Sequence, residues 1–100
     1  MNIEMIIASM SHQIADGVLI AKSPFTWGSE AKIVELTEDF KVPQKYLDEG
    51  YEYLLGQDDI VKLLEFLKTK KISNKAKAEF VVHYAVNDAF PSWIEDISNV

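Results

Sequence analysis

The stretch EGYEYLLGQDDIVKLLEFL, residues 49–67, changes its period halfway along. YEYLL, 51–55, alternates and is rich in aromatics, which predicts a strand. Gly56 and Gln57 then turn the chain. Beyond them Ile60, Leu63, Leu64 and Leu67 recur at helical spacing, with Val61 beside them, and predict a helix over 58–71. Asp58 or Gln57 serves as its cap. Lys68, Lys70 and Lys71 fall in its last turn, where they complement the helix dipole. A strand that runs straight into an amphipathic helix calls for a sheet with a helical cover.

The same reading extends in both directions. Ile3, Ile6, Ile7, Met10 and Ile14 mark an amphipathic helix over 2–15, with Gly17 as its stop. VLIA, 18–21, and KIVEL, 32–36, are strand candidates. SPFTWGSE between them is a loop that carries Phe25 and Trp27, and Trp27 reads as a contact residue or, more readily, as a lid on the core. PQKYLDEG, 43–50, is a short helix with Pro43 at its first position and Gly50 at its stop. On the C-terminal side, Ser73 or Asn74 caps a long helix that ends near Asn87 or Asp88. Pro91 disfavours helix at Phe90. PSWIEDISNV closes the chain, with Trp93, Ile94 and Ile97 free to dock on the core. The order predicts one α+β domain over 1–100. It has a small, mainly antiparallel three-stranded sheet packed with four to five helices on one face.

Composition narrows the function. With 48% hydrophobic residues in 100, the chain has enough apolar material for one core. It has no cysteine, hence no disulfide, thiolate metal site or Cys nucleophile. MNIEMIIASM lacks the basic start of a targeting signal. No apolar run approaches the roughly 20 residues of a membrane span. These features predict a cytoplasmic protein with no membrane contact. The net charge is −6 and all ten basic residues are lysine. An acidic chain without arginine is poorly suited to direct nucleic-acid binding or to clamping phosphate. The charge is also uneven: residues 1–61 carry a net −7, 62–77 a net +5 and 78–100 a net −4.

Catalytic signatures are sparse. The glycines at 17, 28, 50 and 56 are isolated, so no loop cradles a phosphate. There is no G-x-S-x-G elbow. In HYAVNDAFPSW, 83–93, and the turn before it, Glu79, His83 and Asn87 are spaced by four and share one helix face. A carboxylate and an imidazole so placed could share a metal or do acid-base work. The second histidine of a metalloprotease helix is missing, and as a surface pair at a helix end the two need no chemistry at all. Asp58-Asp59 reads as helix-start chemistry, and the lysines at 68, 70, 71, 75 and 77 as a solvated segment.

The remaining feature is a surface. Eight acids and two lysines lie between Glu35 and Asp59, with Tyr46, Tyr51 and Tyr53 interleaved. Tyrosine beside carboxylate suits an interface with a basic protein. The residues expected to carry it are Asp48, Glu49, Tyr51, Glu52, Asp58 and Asp59.

The runs GVLIAKSPFTW, KIVEL, EGYEYLLGQDDI and HYAVNDAF resemble a family of small bacterial proteins known only as a domain of unknown function. The matching residues are Gly17, Trp27, Gly50, Tyr53, Leu55, Asp59, Ile60, Tyr84, Asn87, Asp88, Ala89 and Phe90, within 17–90. The tail PSWIEDISNV departs from that pattern, as do Ala21 and Lys22. The resemblance implies a bacterial domain of that fold and assigns no catalytic residue or ligand. Size and acidity also resemble immunity proteins that neutralise bacterial toxins. The expectation is a binding protein without catalysis, cofactor or metal, which occludes a basic toxin domain. The alternatives are a metal-binding or catalytic domain using Glu79 and His83, and an acidic phage-type inhibitor of a nucleic-acid-binding defence enzyme. A homodimer through Trp27, Trp93 or a strand edge is a further expectation.

Overall fold

The computed structural model describes residues 1–10 and 17–99. Its elements are α1 (Ile3–Ser9), β1 (Gly17–Lys22), β2 (Ala31–Glu35), α2 (Gln44–Asp48) and β3 (Tyr51–Gly56). They continue with α3 (Gln57–Leu67), α4 (Asn74–Asn87) and a closing 3-10 helix, Ser92–Asp96. The architecture is α+β. The three strands form one sheet in the order β2-β1-β3, and both pairings are antiparallel.

The central place of β1 follows from its sequence. Val18, Leu19, Ile20 and Ala21 are all buried, so this strand has no polar face to give to water. Leu19 and Ala21 join the large core with Ile3, Ile6 and Ile7 of α1, Ile60, Leu63, Leu64 and Leu67 of α3, and Phe80 and Val81 of α4. Val18 and Ile20 point the other way and form a smaller cluster with Tyr51, onto which Val34, Leu36, Val42 and Tyr46 pack. The expectation of helices on one face is therefore corrected: Tyr46 brings α2 onto the opposite face. An apolar central strand needs cover on both sides, and the 37–50 segment supplies it.

A register shift in β3 adjusts the sides. Leu19 faces Leu55 while Ile20 faces Tyr53, so Leu54 is an extra residue. Strict alternation in YEYLL would send Leu54 and Leu55 to opposite faces. The bulge places both in the large core.

Element boundaries shift for physical reasons. α1 starts where Asn2 Oδ1 accepts from Met5 N–H at 2.8 Å. It ends at Ser9, whose hydroxyl bonds back to the Met5 and Ile6 carbonyls at 3.0 and 3.3 Å, and Met10 is extended. The rest of the helix expected to residue 15, with Ile14 and His12, lies outside the described residues. Gly17 opens β1. A Cβ there would meet Gln57 Oε1 at 2.6 Å and Ile33 Cγ2 at 2.8 Å, so the site needs a residue without a side chain.

Pro43 stands one position before α2, and Gly50, at φ +95°, follows its C-cap Glu49. α3 begins at Gln57 with Gly56 in the cap position and no side-chain cap, so neither Asp58 nor Gln57 plays that part. It stops at Leu67, and Lys68, Lys70 and Lys71 lie beyond its last turn. The C-terminal tail takes this backbone instead: Lys71 N–H donates to Ser98 O at 2.8 Å, and Lys70 bridges Asn99. Ser73 Oγ caps α4 by accepting from Ala76 N–H at 3.1 Å. Asp88, in the left-handed region, ends it. Trp93 then meets Phe80 edge-on at 6.2 Å, and Ile94 is buried in the core as expected.

Candidate functional site

The end of the sheet where β1 begins and β3 ends opens into a cleft of about 680 Å³. Glu35 enters it from the end of β2, and Asp58 and Asp59 from the first turn of α3. Tyr53 and Phe40 complete its walls. No lysine is among the residues that line it. The helix start puts two carboxylates there because the positive end of α3 favours negative charge.

Phe40 is the unusual residue. It is 84% exposed and sits at φ +60°. Its turn is held by Thr37, whose N–H donates to Lys41 O at 2.8 Å and whose carbonyl accepts from Phe40 N–H at 2.9 Å. The Thr37 hydroxyl also accepts from Lys41 N–H at 3.2 Å. A left-handed Phe costs about 1–2 kcal/mol, and here the backbone turn presents a large apolar ring to solvent. Tyr53 beside it is 53% exposed. The cleft therefore offers three carboxylates and two accessible rings, a set that suits a cationic, partly apolar group.

The six residues expected from the sequence divide between two places. Asp58 and Asp59 line the cleft. Asp48, Glu49 and Tyr51 stand at the far end of β3, five residues and about 17 Å from Gly56 at strand spacing. Glu52 pairs with Ala21 and so points to the helix side at the sheet's edge. Tyr51 is only 3% exposed and does not present its ring to a partner. Its hydroxyl donates to Glu30 Oε2 at 2.9 Å, and the Lys22 ammonium reaches the same oxygen at 2.9 Å. The Lys22 bond, then the Tyr51 bond, hold the Glu30 carboxyl below the usual carboxylate range. Burial first, then the bond to Glu30, push the Tyr51 phenol up. The bond to Glu30 likewise raises Lys22. The ammonium groups of Lys22 and Lys32 lie 5.0 and 5.3 Å from the Tyr51 ring centre. Tyr51 is thus a post of the smaller core. Asp48 accepts from Gln44 Nε2 at 2.9 Å within α2.

Sequence reasoning missed Phe40 as a contact residue and left Glu35 only as the margin of the acidic region. The available signal was a lone aromatic in the polar stretch TEDFK. What brings it beside Asp58 is strand pairing, which local pattern does not encode.

Glu79, His83 and Asn87 do share one face of α4, and they line a second cleft with Phe25 and Trp27. The His83 ring bonds through Nδ1 to Ala89 O at 3.0 Å, and Asn87 Nδ2 donates to His83 O at 3.2 Å. Among the described residues no three His, Asp or Glu side chains gather as a metal set. The Lys75 ammonium sits 4.7 Å from the centre of the Trp27 ring. No described helix is long and apolar enough to cross a membrane.

A comparison with protein-family models finds no match, and comparisons with curated proteins and with solved structures find none either. The resemblance drawn from the sequence rests on its residues alone.

Proposed function

We propose that this chain is an acidic, cytoplasmic binding protein of the immunity type, which neutralises a basic toxin domain by covering it. The reading rests on the cleft that sets Glu35, Asp58 and Asp59 beside the exposed rings of Phe40 and Tyr53. A basic partner inserts a lysine or arginine there. The carboxylates meet its charge, and the rings meet its stem or the face of a guanidinium. The net charge of −6 draws the partner in before contact. No bond is made or broken, and inhibition follows from occupancy.

The test is affinity capture from the native host with the tagged chain as bait, at low and moderate salt. One basic protein, bound one to one and released by salt, is the expected result. With that partner in hand, the double change Asp58→Lys, Asp59→Lys should slow association by about tenfold or more and flatten its salt dependence. The pair Glu49→Lys, Glu52→Lys, at the other end of β3, should do less. An association rate that ignores Asp58 and Asp59 would remove the cleft from the reading.

A further inference from the structure

The cleft on the face of α4 has a volume of about 410 Å³. Its walls are apolar: Phe25 and Trp27 on the loop side, Val82 and Val86 on the helix side. The loop is tied down at several points. Trp27 O accepts from Glu4 N–H at 3.0 Å, Ser29 N–H donates to Thr26 O at 3.1 Å, and Ser29 Oγ accepts from Thr26 N–H at 2.9 Å. The wall therefore stands before any ligand arrives, as in a preformed small-molecule site.

Three polar residues of α4 share this cleft, and their existing bonds fix what they can still offer. His83 Nδ1 faces the Ala89 carbonyl, which can only accept, so Nδ1 carries the hydrogen. In the neutral ring, Nε2 is then an acceptor. Asn87 spends one N–H of its Nδ2 on the His83 carbonyl, which leaves the other N–H and Oδ1, a second acceptor. Glu79 has only lone pairs to give, and it forms no hydrogen bond or ion pair with the other described residues. The helix stripe thus presents two acceptors, one amide donor and the negative charge of Glu79 beside an apolar wall. A group that satisfies both is flat, apolar and rich in N–H. The face of Trp27 already accepts a cation, since the Lys75 ammonium lies 4.7 Å from its ring centre.

We propose that this cleft binds a small aromatic amine, with its ring between Trp27 and the Val82–Val86 side and its ammonium at Glu79. The site is independent of the acidic cleft at the sheet's end, and its test does not depend on a protein partner.

The experiment titrates the 15N-labelled full chain at low salt and pH 7 with three probes. They are 2-phenylethylamine, phenylacetate (the same ring with opposite charge) and ethylamine (the charge without the ring). 2-Phenylethylamine should give saturable shifts at the Trp27 indole N–H and the amides of Trp27, His83 and Asn87. Phenylacetate and ethylamine should bind at least about tenfold more weakly. Glu79→Gln, at an exposed helix position, should cut the 2-phenylethylamine affinity about tenfold and bring it near that of a neutral aromatic. The proposal is overturned by equal response to the three probes, by shifts that map elsewhere, by the absence of saturation, or by a folded Glu79→Gln variant that binds as the parent does.

Discussion

Phe80→Ala tests how α4 is held to α3 and to the C-terminal tail. Phe80 is fully buried, and its ring lies 5.9 Å from Phe66, 5.1 Å from Phe90 and 6.2 Å from Trp93. It therefore locks α4 to α3 and to the C-terminal tail. Burying a Phe side chain contributes about 1.5–3 kcal/mol from transfer out of water. Truncation to Ala adds the cavity left behind, for a total of about 3–5 kcal/mol. Phe66 and Phe90 are 41% and 48% exposed, so they stand at the rim and can lean into the space. Their movement recovers part of the loss and puts the expected value at about 3–4 kcal/mol. In a chain of this size that lowers Tm by about 12–30 °C. Equilibrium urea unfolding, followed by far-UV circular dichroism and tryptophan fluorescence, measures it, and an unchanged slope would show that the same surface unfolds. Phe66→Ala is the control. It removes a ring already facing water on one side and should cost about 1 kcal/mol. A Phe80→Ala loss below about 1 kcal/mol, the range of ordinary substitutions, would refute the view that this ring is the keystone.

Two further predictions concern other parts of the frame. Gly17→Ala places a methyl against Ile33 and Gln57 at the mouth of the acidic cleft, and should destabilise by about 1–3 kcal/mol, measured by the same urea transition. Glu30, whose folded carboxyl titrates below its ordinary value of 4.5, contributes stability above that value and loses it as pH falls through the folded one. The gap in urea midpoint between the parent and Glu30→Gln should therefore be constant near neutrality and close in acid. Lys22 and Tyr51, both raised, have the opposite sign: their contribution is whole below their ordinary values of 10.5 and 10.0 and is lost as pH rises through the folded ones. A gap that does not narrow as pH falls below 4.5 would contradict the clamp formed by Lys22, Glu30 and Tyr51.

Local pattern was sufficient for much of the chain. The helical stripe Ile60, Leu63, Leu64 and Leu67, the Ser73 cap and the apolar run of β1 each express a preference that a few neighbouring residues satisfy among themselves. The α+β class follows from their order. The acidic, arginine-free composition also belongs to the sequence, since net charge does not depend on the fold.

What the tertiary structure decided is the sidedness of these elements and the company each side chain keeps. Tyr51 and Tyr53 look alike in YEYLL, yet one is buried against α2 and the other opens onto a cleft, because the strand's two ends meet different cover. Leu54 reaches the large core only through the bulge opposite β1. Phe40 and Asp58 are eighteen residues apart in the chain and share a cleft because β2 and β3 flank the same central strand. Lys70 and Lys71 leave the helix that their composition favours, because residues 98 and 99 arrive to take their backbone bonds. In each case the deciding partner lies far along the chain, and a pattern of period two or 3.6 carries no information about which distant residue will fill that place.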